Sequence, residues 1–202
     1  MKFNIFRSSY KSKTDEDLMI LVGAKDSAAF EELYNRYSNI LLHFFYKMLA
    51  GNEQQAQDFL HDVFLKIIEK PYLFDHSKNF KTWIFQIAYN KCKNEYRRRE
   101  IRNNVGIKHE IKNNMNQVSE KVDSPEETVD QKQLNKLIFT EVQKLKEEHS
   151  STFIMRFQQG LSIKEIAEVL NCPQGTVKSR LFYATQKLLK TLKQYDPNYI
   201  GV

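Results

Sequence analysis

Cysteine, glycine, proline and tryptophan are all scarce in this sequence. Its 202 residues hold two cysteines, six glycines, four prolines and one tryptophan. Cys92 and Cys172 cannot build a disulfide framework, and both are expected to be reduced. No CxxC or HxxxH spacing occurs, so no metal site is expected. So few glycines and prolines cannot supply the regular turn signals of a sandwich or barrel. There is no glycine-rich phosphate loop. His43, His61, His76, His109 and His149 show no local ligand or catalytic spacing. Paired acids such as Glu31–Glu32 and Glu147–Glu148 read as solvated surface in helical or capping contexts. The chain is therefore expected not to be an enzyme, with no cofactor and no small-molecule substrate. No apolar run approaches the roughly 20 residues needed to span a bilayer. The N-terminus, MKFNIFRSSYKSK, lacks the apolar stretch of a signal peptide, and a cytoplasmic protein is expected.

What the sequence has is charge, arranged in blocks. The formal net charge is +6, which admits nucleic acid as a partner. Residues 1–13 carry +4, 14–75 carry −6, 76–102 carry +6, 103–149 carry −2 and 150–195 carry +5. A chain that needed only solubility would intersperse its signs. Two basic blocks, each after an acidic one, imply nucleic-acid contacts on two modules and an acidic surface left for another partner.

Helical periodicity dominates the rest. In 27–49, Phe30, Leu33, Tyr34, Tyr37, Leu41, Phe44, Phe45 and Met48 recur at three- and four-residue steps. In 54–70, Ala56, Phe59, Leu60, Val63, Phe64 and Ile67 do the same, and Pro71 stops that helix. A loop, PYLFDHSKNF, leads to a helix over about 81–99, whose apolar side is read as Trp83, Ile84, Ile87, Ala88 and Lys91. With a shorter helix near 15–24, these close a bundle. Residues 100–123 lose the pattern and read as a mobile linker. Ser124-Pro125-Glu126-Glu127 then reads as a helix start. Helical patterns continue to about Leu192, with breaks near 147–150, at Gln159-Gly160 and at Asn171-Cys172-Pro173. The fold class is all-α. A disordered basic N-terminus (1–13) precedes one helical module (14–102), a flexible linker (103–123), a second module (124–195) and a tail (196–202).

The segment GLSIKEIAEVLNCPQGTVKSRL carries a helix-turn-helix signature. Ser162 and Glu165 form a capping box. Ile166, Ala167 and Leu170 face inward, and small Ala167 admits the second helix closely. Asn171 suits the left-handed turn position, and Pro173 suits the first turn of the next helix. Val177, Leu181, Ala184 and Leu188 return to the same core. The opposite face presents Lys178, Ser179, Phe182, Tyr183, Gln186 and Lys190 to a major groove. Lys178 can donate to a guanine edge or a phosphate, and Phe182 can touch a thymine methyl. Arg180 and Lys187 flank this face as phosphate contacts. A solvated basic face on an ordinary helical hairpin is the plainer alternative.

The first module carries two stripes. Gln86, Asn90, Lys93 and Arg97 fall at i, +4, +7 and +11 beside Tyr89, and Arg98, Arg99 and Arg102 extend the charge. Cations beside aromatics suit single-stranded DNA, where bases stack and cations track phosphates. Asp58, Asp62, Leu65 and Glu69 share the same spacing, with His61 at the edge. Phosphate would be repelled by this acidic row, so it reads as a protein-docking stripe with an apolar anchor. A chance exposed leucine is the alternative.

These residues together resemble an extracytoplasmic-function (ECF) sigma factor of the sigma-70 family, the promoter-specificity subunit of bacterial RNA polymerase. AQDFLHDVFLKI at 56–67 resembles the segment that binds the polymerase clamp. NFKTWIFQIAYNKCKNEYRRR at 79–99 resembles the segment that melts and reads the minus-10 element. LKEEHSSTFIMRFQQGLSIKEIAEVLNCPQGTVKSRL at 145–181 resembles the reader of the minus-35 element. The resemblance implies a clamp-binding role for Asp58, Asp62, Val63, Phe64 and Leu65, with His61 and Glu69 in the same surface. It implies that the loop 71–80, with Tyr72, Asp75, Lys78 and Asn79, captures an extruded base, which couples recognition to opening. Gln86, Tyr89, Asn90, Lys93, Arg97 and Arg98 are then expected near the melted non-template strand. Gln174, Thr176, Lys178, Ser179, Arg180, Phe182, Tyr183 and Gln186 are expected on the minus-35 duplex. The implied partners are core RNA polymerase (clamp and flap), promoter DNA and an anti-sigma factor. His61 stands where Gln is common, Asp62 where Glu is common, Ile68 where Trp is frequent and Tyr183 where Arg is common. A stand-alone helix-turn-helix regulator is the alternative function.

Overall fold

A computed structural model describes residues 10–104 and 129–195, with side chains from 10 to 102 and from 133 to 193. The expected disordered N-terminus through residue 9, the linker from 105, the helix start at Ser124-Pro125 and the tail 196–202 lie outside the described residues. Every regular element among the described residues is helical. The chain divides into two compact units, centred on the residues before and after about position 108.

The first unit opens with α1 (Asp15–Gly23), whose N-cap Thr14 accepts a hydrogen bond from Asp17 N at 3.1 Å. Three acids fill its first turn, where the positive end of the helix favours them. Asp26 caps α2 (Ser27–Met48), accepting from Ala28 N and Ala29 N at 2.9 and 3.1 Å. Asn52 caps α3 (Glu53–Glu69), accepting from Gln55 N at 2.9 Å. A single 3-10 turn, Pro71–Leu73, then leads to α4 (Phe80–Asn104). Asn79 starts α4 by accepting from Thr82 N at 2.9 Å. Glu16 of α1 accepts from Phe80 N at 2.9 Å, which fixes the start of α4 against α1.

The core of this unit is aromatic. Phe44, Phe45, Phe80 and Phe85 are fully buried with Leu18, Leu33, Leu41, Ile67 and Ile84. Phe85 meets Phe44 edge-on at 5.5 Å and Phe80 meets Tyr37 edge-on at 5.2 Å, the geometry ring quadrupoles prefer. The buried side of α4 differs from the expected one. Ile84 and Ala88 are inside, but Phe85, Tyr89 and Cys92 accompany them, while Ile87 and Lys91 are only half-buried. The helix also runs to Asn104, five residues beyond the expected end at 99.

Residues 10–13, expected to be disordered, are held in place. Arg36 Nη2 donates to the carbonyls of Tyr10 and Lys11 at 3.1 and 3.0 Å, and Nη1 to that of Lys13 at 3.0 Å and to Asp15 at 2.7 Å. The Tyr10 hydroxyl donates to Asp26 at 2.8 Å. One planar guanidinium thus satisfies three backbone acceptors that a coil would leave to water.

The second unit holds α5 (Val129–Gln143), α6 (Glu147–Phe153), a π-helical turn (Ile154–Gln158), α7 (Ile163–Leu170) and α8 (Gln174–Tyr195). The break expected near 147–150 falls earlier, at 144–146. The other two fall where expected, with Gly160 at φ 66° and Asn171 at φ 48°. Ser162 and Glu165 close the capping box reciprocally, at 2.7 Å to Ser162 N and 3.2 Å to Glu165 N. Ile154, Met155, Leu161, Ile166, Val177, Ala184 and Leu188 make the core. Leu170 and Leu181, expected to face inward, are only half-buried, and Val169 is buried.

Candidate nucleic-acid and docking interfaces

On α3, Asp58, His61, Asp62, Leu65 and Glu69 are all exposed along one side. Leu65 is 45% exposed and Ile68 beside it is 51% exposed, so the apolar anchor is two residues wide. Val63 and Phe64 lie in the core behind this face, where no partner can touch them. Phe64 packs instead on Tyr34, with ring centroids 4.7 Å apart. They hold the stripe in position and do not belong to its surface. Asp62 is not a free acid: it accepts a hydrogen bond from Lys91 of α4, whose ammonium also lies 4.5 Å from the centre of the Phe59 ring.

The strand-facing expectations divide. Asn90, Lys93, Arg97 and Arg98 are exposed on α4 and Gln86 is half-buried. Tyr89 is 6% exposed, so its ring is core and is no platform for a base. Arg99 and Arg102 do not extend the free charge. Arg99 Nε and Arg102 Nη2 donate to Glu95 at 3.1 and 2.9 Å, and Arg99 Nη2 to Gln55 of α3 at 2.5 Å. Burial opposes ionisation of Glu95, but the hydrogen bonds from Arg99 and Gln55 and the charge of Arg102 outweigh it. Its carboxyl is held below the ordinary range.

In the loop, Tyr72 is 75% exposed and is the most open large aromatic of the first unit's described residues. Lys78 is exposed beside it in sequence. Asp75 and Asn79 are exposed but engaged. Asp75 Oδ1 accepts from Ser77 Oγ at 2.7 Å and Ser77 N at 3.0 Å, which holds its carboxyl below the ordinary range. Asn79 Oδ1 is committed to capping α4, which leaves only its amide NH2 for a ligand. Trp83 packs on Phe74 and Phe80 at 5.1 and 5.7 Å.

On α8, Gln174, Lys178, Ser179 and Phe182 are exposed and Thr176 is half-buried. Arg180 is not available as expected: its guanidinium pairs with Glu148 of α6 at 3.2 Å and reaches Cys172 Sγ at 3.9 Å. Lys187 likewise donates to the Lys144 carbonyl, one of the acceptors left over at the end of α5. Both cations tie α8 to the rest of its unit. Tyr183 stacks on His149 at 6.0 Å. With Gln186, Lys146, Lys190 and Lys193 the pair lines a recess of about 830 Å³. The expected face is therefore open over its first two turns and concave beyond them.

Sequence reasoning missed Lys91, Glu95 and His149. Glu95 and Arg99 stand at i, i+4, a signal that was present. Asp62–Lys91 and His149–Tyr183 join distant positions and leave no local signal. Among the described residues no cluster could hold a metal ion and no helix is long and apolar enough to cross a membrane.

A protein with an exposed acidic row around an apolar pair, an adjacent cationic helix and a separate helix-turn-helix has the parts of a promoter-recognition factor. Residues 33–101 match the family model for sigma-70 region 2, and residues 136–188 that for sigma-70 region 4. The chain is 28% identical over 178 residues to the ECF RNA polymerase sigma-E factor of Haemophilus influenzae, covering 87% of this chain and 93% of that one. It is 27% identical over 171 residues to the ECF RNA polymerase sigma factor SigW of Bacillus subtilis, covering 83% and 91%. In fold it is similar to CnrH, solved in complex with the cytosolic domain of CnrY (TM-score 0.67, 20% identity, 90% of this chain and 99% of that one). It is also similar to the sigma factor RpoE of Bartonella quintana, solved with the anti-sigma factor NepR (TM-score 0.64, 21% identity, 81% and 96%). The class is thus a sigma-70-type transcription-initiation factor that recognises promoters, not a stand-alone regulator. Within that class the chain belongs to the ECF sigma factors.

Proposed function

We propose that the exposed row Asp58, His61, Asp62, Leu65 and Glu69, widened by Ile68, is the surface that binds core RNA polymerase. The carrying observation is that this row and the cationic row of α4 lie on one unit with opposite charge. An acidic face with an apolar anchor attracts a basic protein partner and repels phosphate. On α4, Asn90, Lys93, Arg97 and Arg98, with Gln86 at the edge, contact the melted non-template strand of the minus-10 element. Tyr72 and Lys78, with the amide group of Asn79, approach an extruded base, and Asp75 shapes the loop. Gln174, Thr176, Lys178, Ser179 and Phe182 read the minus-35 duplex, and Tyr183 and Gln186 flank it from the recess. Polymerase supplies the chemistry, so the chain itself acts without catalysis, in the cytoplasm with the polymerase. A protein of this fold, RpoE, has been solved with the anti-sigma factor NepR, which supports a protein of that kind as a further partner here.

Run-off transcription tests the reading. Purified chain with core polymerase is expected to start RNA from a cognate promoter. Leu65→Arg is expected to abolish core binding while the helical circular-dichroism signal stays unchanged. Undiminished core binding by that variant would remove the docking stripe.

A further inference from the structure

The two surfaces of the first unit share one ion pair. Asp62 stands in the exposed acidic row of α3, and its carboxylate is bonded to Lys91 Nζ of α4, 29 residues away in sequence. The Lys91 ammonium also sits over the Phe59 ring, 4.5 Å from its centroid. The lysine stem is therefore drawn across the seam between the helices. On α4, Lys91 lies two turns before exposed Arg98, about 20° from it around an ideal helix. It borders the strand-facing side and is turned away from it. The pair is 27% and 56% exposed, so water and a competing ion can reach it. Exposed pairs of this kind are weak.

We propose that Lys91 is a positioning residue that couples polymerase docking to DNA-strand affinity by exchanging the partner of Asp62. This rests on the docking reading above. In the free chain Asp62 and Lys91 neutralise each other. A lysine or arginine of the polymerase that docks on the acidic row takes Asp62 over. Lys91 then loses its counter-ion, and its ammonium swings toward Arg98 and the strand phosphates. Docking thus adds one effective cation to the DNA face. By linkage, strand binding strengthens docking by the same factor. The weakness of the exposed pair limits that factor to about two- to fivefold.

The test uses the full chain with Asp62→Asn, Lys91→Met, the double variant and Lys91→Arg. Methionine keeps an apolar stem on Phe59 and removes the charge. Affinity for core polymerase is measured, together with affinity for a short labelled single strand over a salt series, for free chain and holoenzyme. Asp62→Asn is expected to raise free-chain strand affinity about two- to fivefold. It should also steepen the salt slope by about 0.7, the increment for one more cation on a single strand. The double variant loses that gain. Lys91→Met flattens the holoenzyme slope by the same amount and binds core no less tightly than the parent. Lys91→Arg restores the parental slope, which a merely structural lysine would not govern. Unchanged strand affinity and slope in free Asp62→Asn would overturn the coupling. So would a folded Lys91→Met that binds core as poorly as Leu65→Arg. If Leu65→Arg itself keeps core binding, the docking reading fails first. If it loses core while Asp62→Asn leaves strand binding unmoved, only the coupling fails.

Discussion

Charge on this protein has to be read residue by residue, because several cations are already spent inside the fold. Glu95 is the clearest case. It gathers Arg99 and Arg102 of its own helix, and Arg99 reaches Gln55 of α3. Glu95→Gln removes the negative charge and leaves two guanidiniums with a neutral partner. The arginines keep partial access to water, so the expected cost is about 1 kcal/mol, below the full value of a buried charged hydrogen bond. Because the folded-state carboxyl is held below its ordinary range, its contribution is fully present above the unfolded value of about 4.3. It is lost as the pH falls through the lower folded value. Urea midpoints of parent and variant should therefore differ at neutral pH and converge on acidification. A gap that persists undiminished in strong acid would mean that packing, not charge, holds this corner. The arginine run at 97–102 was plain in the sequence, but not which members were free. Arg97 and Arg98 are exposed, while Arg99 and Arg102 meet a carboxylate one and two turns back.

Where caps and prolines set them, element ends obeyed local chemistry closely; the buried face and the far end of α4 did not. The helix expected over 27–49 is Ser27–Met48, and the one expected over 54–70 is Glu53–Glu69, because caps and prolines act within a few residues of themselves. The buried face of α4 was missed in part because its residues offer two overlapping apolar rows. Phe44 of α2, distant in sequence, meets Phe85 edge-on, and Phe85 takes the buried place expected for Ile87. The last turns of α4 carry no apolar repeat, so periodicity ended the helix early, while the Glu95 ion pairs continue it. Two changes at element ends follow from the local geometry. Ala50 sits between α2 and α3 at φ 56°, a left-handed conformation that costs a residue with a Cβ roughly 1–2 kcal/mol. Ala50→Gly should relieve that strain against a small gain in unfolded-chain entropy, for a net stabilisation of about 0.5–1 kcal/mol in thermal or urea unfolding. Ser162→Ala should act in the opposite direction. It opens the capping box of α7 at a cost of about 1 kcal/mol. It should also weaken minus-35 duplex binding, because α7 leads through the left-handed turn at Asn171 directly into α8, the helix proposed to read that duplex.

For the whole molecule, the net charge of +6 is a sum of opposed surfaces. The acidic row of α3 and the cationic row of α4 belong to one compact unit, and the exposed face of α8 belongs to the other. This division was legible from the blocks of charge, since the two basic blocks, 76–102 and 150–195, lie on α4 and on the helices of the second module. The Asp62–Lys91 pair was not, since it is made only when α3 packs on α4. If each unit binds its own part of a promoter, losses on one unit should not depend on losses on the other. Lys93→Ala removes an exposed cation from α4, and Lys178→Ala removes one from α8. In holoenzyme, their free-energy effects on promoter binding are expected to add to within about 0.5 kcal/mol, as for sites that share no partner. Their salt signatures should differ. A lysine on melted strand flattens the slope of log affinity against log salt by about 0.7, and one on duplex by about 0.9. Titrations of the two single variants and the double variant over a salt series measure both quantities. Strong non-additivity would mean that the two units close on DNA as one body. A Lys178→Ala loss confined to particular minus-35 sequences, with the slope unchanged, would move Lys178 from the phosphates to a base edge.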